Sequence, residues 1–135
     1  MLTIPHELDD MLRDLEQHHG FRRVREAEYG MCAARIEMES DDLRLTVNRD
    51  KFSHWGMEVA AANLPEKSYD LALVVSLLDG VQTDKVTLSD EIQFITKRLN
   101  TLADLFSERR RESTHARLHE LGLQRWRGRI SGLQA

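Results

Sequence analysis

The chain has 135 residues, 41% apolar and 31% charged, with one cysteine and a formal net charge of −4. That size fits one domain, which buries roughly two-thirds of the surface its unfolded chain exposes and needs no staples to fold. No apolar run approaches the ~20 residues that cross a bilayer. The N-terminal residues hold no basic region followed by an apolar stretch, and a lone Cys32 excludes an internal disulfide and a multi-cysteine zinc site. A soluble, cytoplasmic domain is expected. The charge is unevenly spread: residues 108–135 hold seven arginines against three glutamates, leaving 12 basic and 20 acidic side chains in residues 1–107. An acidic body with a basic end bears on partners, not on fold.

Leu8, Met11, Leu12 and Leu15 repeat at helical spacing, with Thr3 as expected cap, Pro5 in the first turn, and Gly20 as the left-handed stop before Phe21. The period then becomes two. Cys32, Ala34, Ile36 and Met38 alternate with polar residues, as do Leu43, Leu45 and Val47, and then Trp55, Met57, Val59 and Ala61. Turns at Ser40-Asp41-Asp42 and at residues 49–53 make these three strands an antiparallel meander. Its second face would carry Arg35, Glu37, Glu39, Arg44, Thr46, Asn48 and Glu58, polar enough to stand in water.

After Pro65, Ser68 is the expected cap of a helix with Leu71, Val74, Val75 and Leu78 in one stripe, ended by Gly80. Thr87 caps the strongest helical pattern, Leu88, Ile92, Ile95, Leu99, Leu102 and Phe106, with Asp90 and Glu91 in the first turn. A last helix starts near Ser113 and contains Leu118 and Leu121; Gly122 either ends it or is carried at a cost of about 1 kcal/mol. The expected fold is α+β: an N-terminal helix, a three-stranded antiparallel meander sheet, then three helices packed on one sheet face. Residues 1–122 form one domain, and residues 123–135 a basic tail.

Candidate chemistry is sparse. His115 and His119 have a spacing that can serve one metal, but no third ligand is indicated and Arg117 opposes a cation, so a solvated helix face is expected. His18 and His19 suit the negative end of their helix. Glu37, Glu39, Asp41 and Asp42 concentrate four carboxylates around one hairpin, without the glycine and spacing of a calcium loop. With Glu58 on the adjacent polar face they form the expected partner-binding surface, one that docks a basic protein. Cys32 is expected to be a buried, inert thiol, Gly56 to mark a bulge or close contact, and Trp55 to lie in the core unless its edge serves as an anchor. Arg109-Arg110-Arg111 and Arg125-Trp126-Arg127-Gly128-Arg129 are the nucleic-acid-like features; equally, arginine here can solubilise a surface or clamp onto the acidic body. No catalytic constellation, cofactor motif or metal set is legible, so no enzyme activity, cofactor or metal is expected.

The segments Gly20-Phe21-Arg22, Leu43-Arg44-Leu45 to Arg49-Asp50, Trp55 to Val59, Tyr69-Asp70-Leu71 to Leu77-Leu78-Asp79-Gly80, and Leu88-Ser89-Asp90-Glu91 to Leu105-Phe106-Ser107 resemble a group of small bacterial α+β proteins. Most of that group have no assigned function, and some are immunity-type proteins encoded beside secreted toxin domains. The resemblance spans about residues 8–125 and rests on core and turn residues. It implies an immunity role and transfers no site residue. The expectation is a cytoplasmic, non-enzymatic immunity protein whose partner is a cognate toxin domain, occluded at its active site. The alternative is a nucleic-acid-binding or regulatory module that uses the arginine-rich C-terminal segment.

Overall fold

The computed structural model describes residues 2–80 and 86–134, with side chains as far as residue 127. In chain order the elements are α1 (His6–His18), β1 (Arg22–Glu28), β2 (Ala34–Glu39), β3 (Leu43–Arg49), β4 (Trp55–Ala61), β5 (Tyr69–Asp70), α2 (Leu71–Asp79), α3 (Leu88–Leu105) and α4 (Arg111–Gln134). The strands form one antiparallel sheet in the order β1-β2-β3-β4-β5. The α+β class, the meander and the three C-terminal helices are as read from the sequence; the sheet has five strands rather than three.

The two added strands lie at the edges, where the period-two signal fails. β1 reads Arg22-Arg23-Val24-Arg25-Glu26-Ala27-Glu28, and its positions opposite the buried Met38, Ile36 and Ala34 are Arg23, Glu26 and Glu28. An edge strand can fill inward positions with charge because one of its sides is wet, and a bulge between Arg23 and Arg25 shifts its register. β5 is two residues long, too short to carry a period.

The central strands follow their alternation. Ile36, Met38, Leu43, Leu45, Val47, Met57, Val59 and Ala61 face one side and are buried with Leu8, Leu12 and Leu15 of α1, Leu71 and Val74 of α2, Ile95 and Leu102 of α3, and Leu118 of α4. That single core orients everything else. β2 begins at Ala34, two residues after the expected start. Cys32 sits in the β1–β2 turn with φ +66° and is exposed, so it is not a buried strand thiol. Gly56 pairs with Asn48 in an unbroken β3–β4 register, so the expected bulge is absent there.

The helix ends also differ in detail. Pro5, not Thr3, occupies the N-cap position of α1, with no side-chain bond. Gly20 is left-handed at φ +71°, which lets the Phe21 N–H donate to the Leu15 carbonyl at 3.2 Å and buries the ring. Ser68 does not cap α2; its hydroxyl donates to the Glu58 carboxylate at 3.3 Å, while Asp70 precedes the helix. α3 opens as expected with a reciprocal box, in which the Asp90 N–H donates to Thr87 Oγ1 and the Thr87 N–H donates to the Asp90 carboxylate. α4 carries Gly122 in its interior and continues to Gln134.

Candidate functional site

The deepest chemical asymmetry lies where β4 outruns β5. Pairing between them stops at Glu58 and Val59, opposite Asp70 and Tyr69. Beside the remaining residues 55–57 opens a cleft of about 390 Å³, lined by Trp55, Glu58, Asp70, Glu91 and Arg125 among others. Glu91 stands in the first turn of α3 yet is only 6% exposed. Its carboxylate accepts the Met57 backbone N–H at 3.1 Å, taking the place of a neighbouring strand's carbonyl. Burial, opposed by that hydrogen bond and reinforced by Asp70 and Asp90, raises its pKa to about 7. Near neutral pH it therefore exists in both protonation states. The sequence held a signal for this: Glu91 falls three residues after Leu88 and four before Ile95, on the apolar stripe of α3.

One wall of the cleft is built by the β3–β4 hairpin. The Asp50 carboxylate accepts the N–H groups of Phe52 (2.8 Å) and His54 (2.9 Å), and its own N–H donates to the His54 carbonyl (2.9 Å). The bond from His54 leads the effects that hold the Asp50 carboxyl below its usual range. This clamp fixes a tip on which Phe52 is 69% exposed, with the Lys51 ammonium 5.2 Å from its ring centroid. Trp55 is half-buried, and the Arg49 guanidinium lies 5.5 Å from its ring centroid. Arg49 also donates to the carbonyls of Cys32 and Thr3 and so ties down the start of the chain.

The five expected partner-binding residues do not form one patch. Glu37 and Glu39 lie on the sheet face away from the helices, but inside a lattice of arginines. Arg44 reaches Glu39 at 2.9 Å and Glu37 at 3.1 Å, and Arg22 lies 3.3 Å from Glu39. Arg35 Nε approaches Glu37 at 3.3 Å without an aligned hydrogen bond. These long side chains shade the face: Glu37 and Thr46 are buried, so it does not simply stand in water. Asp41 and Asp42 are exposed at the β2–β3 tip, at the opposite end of β3 from the cleft. Glu58 belongs to the cleft.

The histidines separate in the same way. His115 is not on a solvated face: it is 8% exposed, in tilted ring contacts with Tyr69 (5.6 Å between centroids) and Phe106 (6.1 Å), with its Nε2 buried and unpartnered. Burial, together with Lys67 and Arg111, lowers its pKa. His119, one turn on, is exposed, and among the described residues no group of three or more His, Cys, Asp or Glu is placed to hold a metal. The basic segment is partly drawn inward: Arg110 pairs with Asp104, Arg111 donates to Asn63 at 2.7 Å, and Arg125 lines the acidic cleft. Trp126 stays 60% exposed. Among the described residues no helix is long and apolar enough to cross a membrane. No protein-family model, curated protein or solved structure matches the chain.

Proposed function

We propose that the protein is a non-enzymatic, cytoplasmic immunity protein that neutralises a cognate bacterial toxin by occluding its active site. The observation that carries this reading is the acidic cleft beside the Asp50-clamped hairpin. There a preorganised tip with an exposed aromatic ring adjoins Asp50, Glu58, Asp70 and Glu91. Rigid loops with exposed aromatics make efficient anchors, because little conformational freedom is lost on docking. Carboxylates in a cleft draw in a basic surface, such as the substrate cleft of a nuclease, and favour the correct partner over acidic ones. The arginine-rich end supports this reading over nucleic-acid binding. Successive helical positions point about 100° apart, so Arg125, Trp126 and Arg127 cannot lie on one strand-binding stripe.

The test is co-expression in bacteria with the C-terminal domain of a secreted protein encoded in the neighbouring reading frame. The expected result is restored growth and a co-eluting one-to-one complex whose association slows as salt rises. Persistent toxicity with no complex would overturn the reading. Salt-sensitive nucleic-acid binding lost on deleting residues 123–135 would replace it with the alternative.

A further inference from the structure

We propose that the open half of the β4 edge is a receptor for an extended, basic segment of a protein partner, whose backbone pairs with Trp55 while a cationic side chain enters among Glu58, Asp70 and Glu91. This deepens the immunity reading by naming where and how the partner is held.

Two independent features converge here. The first is backbone geometry. In an antiparallel strand alternate residues turn both N–H and C=O to the same edge. The Met57 N–H meets Glu91 on the side where β5 pairs with Val59, and the Glu58–Asp70 pair sets the Leu71 N–H opposite the Met57 carbonyl, so the groups that this edge offers without a strand partner among the described residues are the N–H and C=O of Trp55. Among the described residues no strand pairs with residues 55–57 there. Such an edge is a template for strand addition. The opposite edge of the sheet, β1, is ill suited to that use, because a bulge and five charged Arg and Glu side chains guard it.

The second feature is charge. Glu58 and Asp70 face each other across the β4–β5 pair, and Glu91 lies behind them. Phosphate would be repelled, and a guanidinium or ammonium attracted; Arg125 of α4 already lies against the same cleft. A second copy of this chain fits poorly, since its C-terminal arginines lie in the turn before α4 and in α4 itself, and its extended Arg22–Arg25 stretch is already paired with β2 and bulged.

The test uses the full chain and two capped pentapeptides, acetyl-Val-Arg-Leu-Lys-Val-amide and acetyl-Val-Glu-Leu-Asp-Val-amide, titrated while backbone amide NMR shifts are followed. The basic peptide should move resonances of residues 54–58, 70–72 and 91, and the acidic one should not. Methylating alternate peptide nitrogens on the pairing edge should weaken binding at least tenfold, because the charge survives and the backbone donors do not. The triple variant Glu58→Gln, Asp70→Asn, Glu91→Gln should also lose at least tenfold, whereas Asp41→Asn with Asp42→Asn should bind as the parent does. Equal response to both peptides, shifts mapping elsewhere, no shifts at all, or indifference to N-methylation would each overturn the proposal; the last needs no variant that must fold. Growth rescue by the neighbouring toxin test without peptide binding here would retain the immunity role and reject this receptor. Peptide binding without rescue would do the reverse.

Discussion

At the scale of single residues, burial of ionisable groups is the feature with the largest consequences. The Glu91 carboxyl has its pKa raised to about 7 when folded and returns to about 4.5 when the chain unfolds. The folded state therefore holds more protons between those values. Its contribution to stability is complete below about pH 4.5 and is lost as pH rises through about 7. Glu91→Gln keeps an oxygen for the Met57 N–H and removes the charge. It should stabilise the protein by roughly 1–2 kcal/mol at pH 8 and hardly at all at pH 4.5, read by urea unfolding at both values. A loss of stability at pH 8 would mean that the carboxylate is better accommodated than its burial implies. His115 has the opposite sign. Burial lowers its pKa, so the unfolded state binds the extra proton. Its contribution is complete above the unfolded value of 6.5 and falls as pH drops through the lowered one. An NMR titration of the imidazole should place its midpoint below 6.5 and show Nε2 without a proton-sharing partner.

At the scale of elements, the sheet divides its two faces between different physics. One face is apolar and packed: Leu45→Ala should cost about 2–5 kcal/mol, the range for a fully buried large-to-small change. The other face is held by the Arg44, Glu37 and Glu39 lattice. Arg44→Ala leaves Glu37 shaded and short of its closest cation, and should cost about 1–3 kcal/mol. Arg22→Ala removes an exposed partner and should cost little. Chemical denaturation of the three variants ranks them, and an Arg44→Ala protein as stable as the parent would show that the lattice is only decoration. Thr46→Ala, one residue along from Leu45 and on the opposite face, should cost no more than about 1 kcal/mol, although the residue is buried, because the change removes few apolar atoms.

At the scale of the whole molecule, the acidic body and basic end meet within the chain. Arg110 pairs with Asp104 and Arg111 with Asn63, so part of the arginine excess is used in holding the start of α4 to the body, and Arg125 lines the acidic cleft. Filter binding at physiological salt should accordingly detect no affinity for single-stranded or duplex nucleic acid tighter than about micromolar. Nanomolar binding with a steep salt slope would mean that these arginines are available after all. Chelator treatment should leave the thermal midpoint unchanged, since His115 is packed against two rings while His119 faces solvent. A midpoint that falls with loss of a stoichiometric metal would refute this.

What the sequence determined by itself was the set of elements with a one-sided apolar period. These are α1, the three central strands, the stripes of α2 and α3, and the Thr87 and Gly80 ends, because burying one face is a local, periodic demand on residue type. β1 escaped, because an edge strand with a wet side need not alternate, and Cys32 was misplaced because its alternation with Ala34 and Ile36 runs on into the turn that Gly30 opens. Tertiary structure alone decided which charges are paired. Carboxylates close in sequence, Glu37 to Asp42, are split between an arginine lattice and a hairpin tip, and carboxylates far apart, Glu58, Asp70 and Glu91, gather at one cleft. Charge acts through space over several ångströms with no periodic trace along the chain. The location of the candidate site therefore had to wait for the fold, even though Glu91 on an apolar stripe was already the sign that a carboxyl would be buried.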